Sequence, residues 1–270
     1  MEAPASSTAI ARPTRIAGVL LALSLAGCGL MGDRGAPRDL NAIPDARPRV
    51  EPRSAFGNPP SYEVNGRRYY TLPNSRDFVD RGVASWYGPD FHGKPTSSRE
   101  VYDMYGMTAA HPTLPLPTYV MVTNLENGRR VVVRVNDRGP FHDDRVIDLS
   151  YTAAWKLGIV PKGTGLVELR AIDPEQPSDL RLAAGPLPPP GRKPDIYVQV
   201  GAFGSRDNAA RLQTRLSSAA PTAVRVSETN VQNRPLYRVR LGPVGDVEEA
   251  DRLVAMLTGL GIQDHHVVVE

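Results

Sequence analysis

A chain of 270 residues has room for one or two domains of ordinary size, and a hydrophobic content of 41% is enough for real cores. Its 24 glycines and 26 prolines assign much of the length to turns and linkers. The one cysteine, Cys28, excludes an intramolecular disulfide, so stability must come from packing.

The first 27 residues read as a secretory signal. Arg12 and Arg15 supply a positive start, and an apolar run from Ile16 to Ala26 follows. That run is well short of the ~20 residues needed to span a bilayer. Leu25-Ala26-Gly27-Cys28 resembles a bacterial lipobox, in which a diacylglycerol is attached to the thiol before cleavage. The expectation is an exported lipoprotein anchored through Cys28. Gly29 follows, with no aspartate there to mark inner-membrane retention, which by resemblance to other lipoproteins implies the outer membrane.

Residues 28–61 read as a lipidated tether. Pro37, Pro44, Pro48, Pro52, Pro59 and Pro60 alternate with arginines, and large apolar side chains are few. Such a segment buries too little surface to offset its ordering entropy. A second Pro-rich linker is expected at 174–194, leaving folded units at 62–173 and 195–270.

The first unit is expected to be mostly strand. Gly82–Tyr87, Thr118–Thr123, Arg130–Asn136 and Leu166–Ile172 are short and rich in valine, threonine and tyrosine. Asn127-Gly128 suits a hairpin turn. One helix is predicted over Tyr151–Leu157, with Ser150 as N-cap and Gly158 as stop. Several short strands with one helix suggest a small barrel.

In the second unit, Ile196, Val198, Val200 and Ala202 form one face of a strand, and a helix carries Ala209, Leu212 and Leu216. A strand with Tyr237, Val239 and Leu241 follows. A second helix opens on Asp246-Val247-Glu248-Glu249, like a capping box, and His266–Val269 close the chain. This order predicts a small α+β unit with helices on one sheet face and the other face open.

Polar residues crowd between the strands of the first unit: Glu100, Asp103, His111, Asp137, His142, Asp143, Asp144 and Asp148. Loops on a rigid scaffold are where catalytic groups usually sit. Taken singly these residues are not specific, since Asp137-Arg138-Gly139-Pro140 also suits a tight turn and Asp148 also suits a helix cap.

In order along the chain stand Ala84-Ser85-Trp86-Tyr87-Gly88, Phe91-His92-Gly93, Thr96–Asp103, Met107-Thr108-Ala109-Ala110-His111, Thr113-Leu114-Pro115, Asn136–Phe141 and Ile147-Asp148-Leu149-Ser150. This run resembles the rare lipoprotein A family, septal-ring lytic transglycosylases with a six-stranded double-psi β-barrel. Tyr197–Phe203, Asn208-Ala209 and Tyr237–Pro243 are similar to the SPOR domain, a βαββαβ module that binds glycan stripped of its stem peptides.

The resemblance implies a peptidoglycan lyase, endolytic or exolytic. It would cut the bond between muramic acid and glucosamine and leave a 1,6-anhydro end. It implies Asp137 as acid/base, Glu100 as a functional neighbour and His111 as a third polar position, with Asp148 as a candidate in support. Two departures from the family pattern are Arg99, where glycine commonly precedes the glutamate, and Pro117, where glycine is common. Arg99 is expected to add a cation beside Glu100.

In the SPOR-like unit, period-two alternation puts Gln199, Leu236, Arg238 and Arg240 on the open face, as the candidate glycan contacts. Expected partners are glycan strands and, through Cys28, a membrane; division-site proteins are further candidates. The alternatives are a septal glycan-binding lipoprotein without catalysis and a true hydrolase. Export, and the lack of stacking aromatics on the open face of the third strand, argue against nucleic acid. The five histidines show no HxH or HExxH spacing, so no metal or other cofactor is expected.

Overall fold

The computed structural model describes residues 39–142, 144–184 and 194–270. The expected signal segment and Cys28 lie outside the described residues, as does Asp143.

A short hairpin comes first, β1 (Ser61–Val64) against β2 (Arg67–Tyr70). Asn65 and Gly66 turn it, both at positive φ (52° and 78°), the two-residue geometry that matches strand twist. Six strands then close a barrel: β3 (Val79–Trp86), β4 (Thr108–Ala110), β5 (Thr118–Asn124), β6 (Arg130–Asp137), β7 (Ile147–Leu149) and β8 (Gly165–Ile172). Their spatial order is β3-β7-β4-β6-β5-β8, with β3/β7 and β4/β6 parallel and the other pairs antiparallel. Closure leaves no edge strand to pair with another chain.

Alternate residues of β5, β6 and β8 fill the barrel. Val120, Val122, Val133, Val135, Val167 and Leu169 are fully buried there. Each contributes about 1.5–3 kcal/mol by leaving water. Helix α1 (Tyr151–Leu157) packs Ala153, Ala154 and Leu157 into the same core. The Ser150 hydroxyl accepts from the Ala153 amide at 3.2 Å, and Gly158 stops the helix at φ 75°. Both caps stand where the sequence predicts them.

The second unit runs β9 (Ile196–Phe203), α3 (Arg206–Ser217), β10 (Val224–Val231), β11 (Arg234–Val244), α4 (Val247–Gly259) and β12 (His266–Val269). Its antiparallel sheet has the order β10-β11-β9-β12. Ile196, Val198, Val239 and Leu241 pack with Leu216, Leu253 and Leu257 from the helices. Asp246 caps α4 by accepting from the Glu249 amide, and Glu249 reaches back to the Gly245 amide. Ala202 departs from expectation. A register shift between the Val239–Gly201 and Arg240–Gln199 pairs flips the parity of β9, so Ala202 is exposed and Phe203 joins the core.

Two expected linkers carry structure in their described parts. Residues 177–184 form helix α2 (Pro177–Ala184) inside the predicted 174–194 linker. The predicted tether is not free along residues 39–60. The Ala46 amide donates to the Val132 carbonyl at 3.0 Å, and Asp45 accepts from the Val132 amide and from Lys156 at 2.9 and 2.6 Å. Further on, Ser54 and Asn58 bond the backbone of Leu116. A composition that predicts a solvated chain is overridden by these pairings.

Candidate active site

The site forms where three short pieces of backbone meet. Ala110, at the end of β4, pairs with Asp137 of β6 on one side and with Asp148 of β7 on the other. Residues directly opposite across strands project to the same face, so the two aspartates flank a fully buried alanine methyl. Gly139 leaves the adjoining space open; a methyl there would come within 3.8 Å of Asp148 Oδ2. The loop before β4 then brings in Ser97 and Glu100.

Asp137 is held asymmetrically. Its Oδ1 accepts from the Ser97 amide (2.7 Å), the Ser97 hydroxyl (2.6 Å) and the Arg138 amide (2.7 Å). Among the described residues, its Oδ2 meets a long contact from the Tyr87 hydroxyl, at 3.4 Å. Burial, reinforced by Asp137 and Asp148, pushes the Tyr87 hydroxyl far up, so Tyr87 stays protonated and donates.

Asp148 lives in a different environment. Burial raises its pKa, against an opposing hydrogen bond from the Ser85 hydroxyl at 2.5 Å, and the charge of Asp137 adds to the rise. Asp148 does not cap α1; Ser150 does that.

Glu100 is the exposed member of the group, with 43% of its side chain in solvent. Partial burial works to raise its pKa. Hydrogen bonds from Asn136 and Arg134 outweigh that and hold it below the usual glutamate range. Asn136 Nδ2 stands at 2.8 Å, and Arg134 Nη1 reaches both carboxylate oxygens at 2.8 Å. The cation beside Glu100 is therefore Arg134 and not Arg99. Arg99 turns its guanidinium over the Phe56 ring, 3.6 Å from the centroid. At φ 70° its backbone is left-handed, which accounts for the fit of glycine at that place in the family pattern.

His111 sits beneath the site, only 3% exposed. Burial, then the charge of Arg138, drives its pKa down to about 3, so the ring is neutral. Its Nδ1 accepts from the amides of Thr113 and Leu114 at 3.1 and 3.0 Å. Its own carbonyl, with that of Leu114, receives Arg138 Nη1 at 3.0 and 2.6 Å. The imidazole thus shapes the turn that seats a buried arginine beside Asp137.

The other loop carboxylates stay apart. Asp103 is exposed and accepts from the Tyr105 amide. His142 is exposed, and Asp144 turns toward His265 of the second unit at 3.5 Å. Among the described residues no group of three or more His, Cys, Asp or Glu could hold a metal ion.

Sequence reasoning passed over Ser85, Tyr87, Ser97 and Arg134 as site residues. A signal existed for three of them. Ser85 on β3 and Tyr87 just past its end keep the alternation of one face, and Arg134 and Asn136 alternate through the valine-rich β6 on one face. Ser97 lies in an irregular loop and gave none.

On the SPOR-like sheet, Gln199 stands between Arg240 and His266 in the register. The face is not wholly open. Gln199 is 8% exposed, and Arg240 is tied to Gln199 Oε1 at 3.2 Å and to Glu270 at 2.6 Å. Arg238 and Leu236 are half-buried. Gln199, Arg238, Arg240 and His266 line a cleft of about 640 Å³, whose other wall is barrel surface from β3 and β8.

Residues 79–169 match a family described as Lytic transglycolase, and residues 193–268 match the SPOR domain family. The endolytic peptidoglycan transglycosylase RlpA of Vibrio cholerae serotype O1 is 39% identical over 252 residues, covering 90% of this chain and 92% of that protein. RlpA of Pseudomonas aeruginosa (strain UCBPP-PA14), with the same description, is 41% identical over 264 residues, covering 79% of this chain and 77% of that protein. A crystal structure of the RlpA SPOR domain from Pseudomonas aeruginosa is 33% identical, covers 27% of this chain and 96% of that one, and has a TM-score of 0.26.

Proposed function

Because the chain belongs to the RlpA family of peptidoglycan transglycosylases, we propose that it cuts glycan strands between muramic acid and glucosamine, with Asp137 as acid/base. Family membership makes it an enzyme of the lyase class.

In this reading protonated Asp137 gives its proton to the departing glycosidic oxygen as the bond to muramic acid C1 breaks. The C6 hydroxyl of the same sugar attacks C1, closes a 1,6-anhydro ring and returns its proton to Asp137. No water enters, and one carboxyl group suffices where a hydrolase needs two. Attack within one sugar gains from enforced proximity.

The observation that carries the assignment is the asymmetry of Asp137. Three donors fix Oδ1 and orient the group, while Oδ2 remains for substrate beside the Tyr87 hydroxyl. Glu100, kept ionised by Asn136 and Arg134, suits the stabilisation of positive charge that develops on the sugar ring. Asp148 supports a second reading, in which it supplies the proton and Asp137 receives the one from C6. Its raised pKa suits an acid, and neighbouring carboxyls whose environments differ often divide such roles.

The same reading extends to where the protein works. Cys28 carries the lipid and holds the protein at the periplasmic face of the outer membrane. Gln199, Leu236, Arg238 and Arg240 take up peptide-free strands at the division septum. Arg238 and Arg240 on one face suit sugar hydroxyls and the lactyl carboxylate.

Soluble protein beginning at residue 29, incubated with amidase-treated and with untreated sacculi, tests this. Anhydro-ended products, richer from the treated wall and lost on Asp137→Asn, are the expected result. Reducing ends would mean a hydrolase. Binding without release would mean a glycan-binding protein.

A further inference from the structure

The residues around the cleavage site are held from outside the barrel by the segment that precedes it. We propose that residues 45–58 are a strap forming part of the catalytic unit, with Glu51 as a positioning residue that acts through Arg134 on Glu100. This rests on the transglycosylase reading for its meaning, though not for its geometry.

The strap starts on the outer face of β6, where Ala46 covers a small apolar cluster of Tyr119, Met121, Val132 and Ile172. That patch lies outside the barrel core and gives the strap its footing. Two residues past Val132 on the same strand, Arg134 bridges strap and loop. Its Nε and Nη2 donate to the two oxygens of Glu51 at 3.1 and 2.9 Å, while Nη1 takes both oxygens of Glu100. Glu51 is itself fixed by a short hydrogen bond from the Tyr119 hydroxyl and is largely buried, with 16% of its side chain exposed. A guanidinium forked between two carboxylates has its plane set by both. Removing one leaves the other facing a mobile cation.

The far end of the strap reaches the second half of the site. Phe56 carries the guanidinium of Arg99, the residue that precedes Glu100 in the chain. The Gly57 carbonyl accepts from Arg138 Nε at 2.8 Å, and Asn58 Oδ1 accepts from Arg138 Nη2 at 3.1 Å. Gly57 passes so close to Ser97 that a methyl group would stand 2.9 Å from the Ser97 carbonyl. The strap therefore contacts a neighbour of Glu100, the arginine that follows Asp137, and the serine that holds Asp137. The region matching the lytic transglycosylase family begins only at residue 79, downstream of the whole strap.

The test uses Glu51→Gln and Glu51→Asp in the soluble protein from residue 29. Two readouts are taken: anhydro-product release against pH, and the Glu100 titration midpoint from carbon-13 NMR of its carboxyl. With Glu51→Gln, Arg134 loses one of its two anchors and Glu100 loses the like charge held across the guanidinium. Loss of that like charge is expected to move the midpoint and the acid limb of activity to lower pH, and the lost orientation to lower the rate about tenfold, with a native near-UV circular dichroism spectrum. Glu51→Asp keeps the charge and should lie between variant and parent. An unmoved midpoint in folded Glu51→Gln overturns the proposal, whether or not the parent is active. If Glu51→Gln does not fold, the Glu51→Asp midpoint decides by the same rule. A parent that releases no anhydro ends overturns the transglycosylase reading instead.

Discussion

Asp137 and Asp148 stand on opposite sides of Ala110, each paired with it in a neighbouring strand, and the charge of Asp137 adds to the rise in the Asp148 pKa. One is oriented by three donors on a single oxygen. The other is buried and kept toward its protonated form. From this difference two predictions separate their roles.

Asp137→Asn removes the acid/base and is expected to abolish anhydro-product release, a loss of 10²-fold or more, with an unchanged fold. Ser97→Ala removes the hydroxyl donor to Oδ1 but leaves the amide. It should lower the maximal rate by about tenfold while leaving the half-saturating substrate concentration nearly constant. A rise in that concentration at constant rate would place Ser97 in binding rather than orientation.

For Asp148 the sign is set by linkage. Its folded pKa is raised, so its contribution to stability is full below the ordinary aspartate pKa and is lost as pH rises through the folded value. Asp148→Asn removes that loss. The melting temperature of the variant relative to the parent is expected to climb as pH goes from about 4 to 7. A difference constant across that range would refute the buried, proton-holding carboxyl.

His111 gives the opposite dependence. Its folded pKa lies near 3, below the ordinary 6.5, so unfolding takes up a proton once pH falls below about 6.5. The neutral ring thus makes the protein progressively less stable between pH 6.5 and 3. His111→Asn keeps an acceptor for the Thr113 and Leu114 amides. It should flatten this acid sensitivity, as denaturant midpoints at pH 7 and pH 5 would record.

Gly57 cannot take a side chain. Its φ of 77° is left-handed, and a methyl would meet Leu116 Cδ1 at 2.8 Å and the Ser97 carbonyl at 2.9 Å. Gly57→Ala is expected to cost about 1–3 kcal/mol in urea unfolding and to reduce activity through Ser97. Gly66 offers the control. It is also at positive φ but has nothing within 4 Å, so Gly66→Ala should destabilise without reducing activity.

What the sequence made legible was local. Ser150 and Gly158 bound α1 because caps act within one turn, and Asp246 opens α4 for the same reason. β4 and β7 have three residues each, too few for periodicity, so the short strands suggested a small barrel but its six-strand count was available only through resemblance to a family. Ala202 was misplaced because a β-bulge leaves no mark in the alternation. The segment 39–60 reads as a solvated tether because its prolines and arginines dominate its composition. The contacts that hold it, Asp45 to Lys156 and Glu51 to Arg134, join residues more than eighty positions apart. The acid site divides in the same way: Asp137, Glu100 and Asp148 were legible as carboxyls in loops, while Ser97 and Arg134, which orient them, were not.

The most direct test of Asp137-driven anhydro-ring closure is digestion of amidase-treated sacculi in oxygen-18 water, with mass analysis of the released ends. Ends lighter by one water and free of the heavy oxygen, absent with Asp137→Asn, are the predicted result. Reducing ends carrying the heavy oxygen, or release that survives Asp137→Asn, would contradict it.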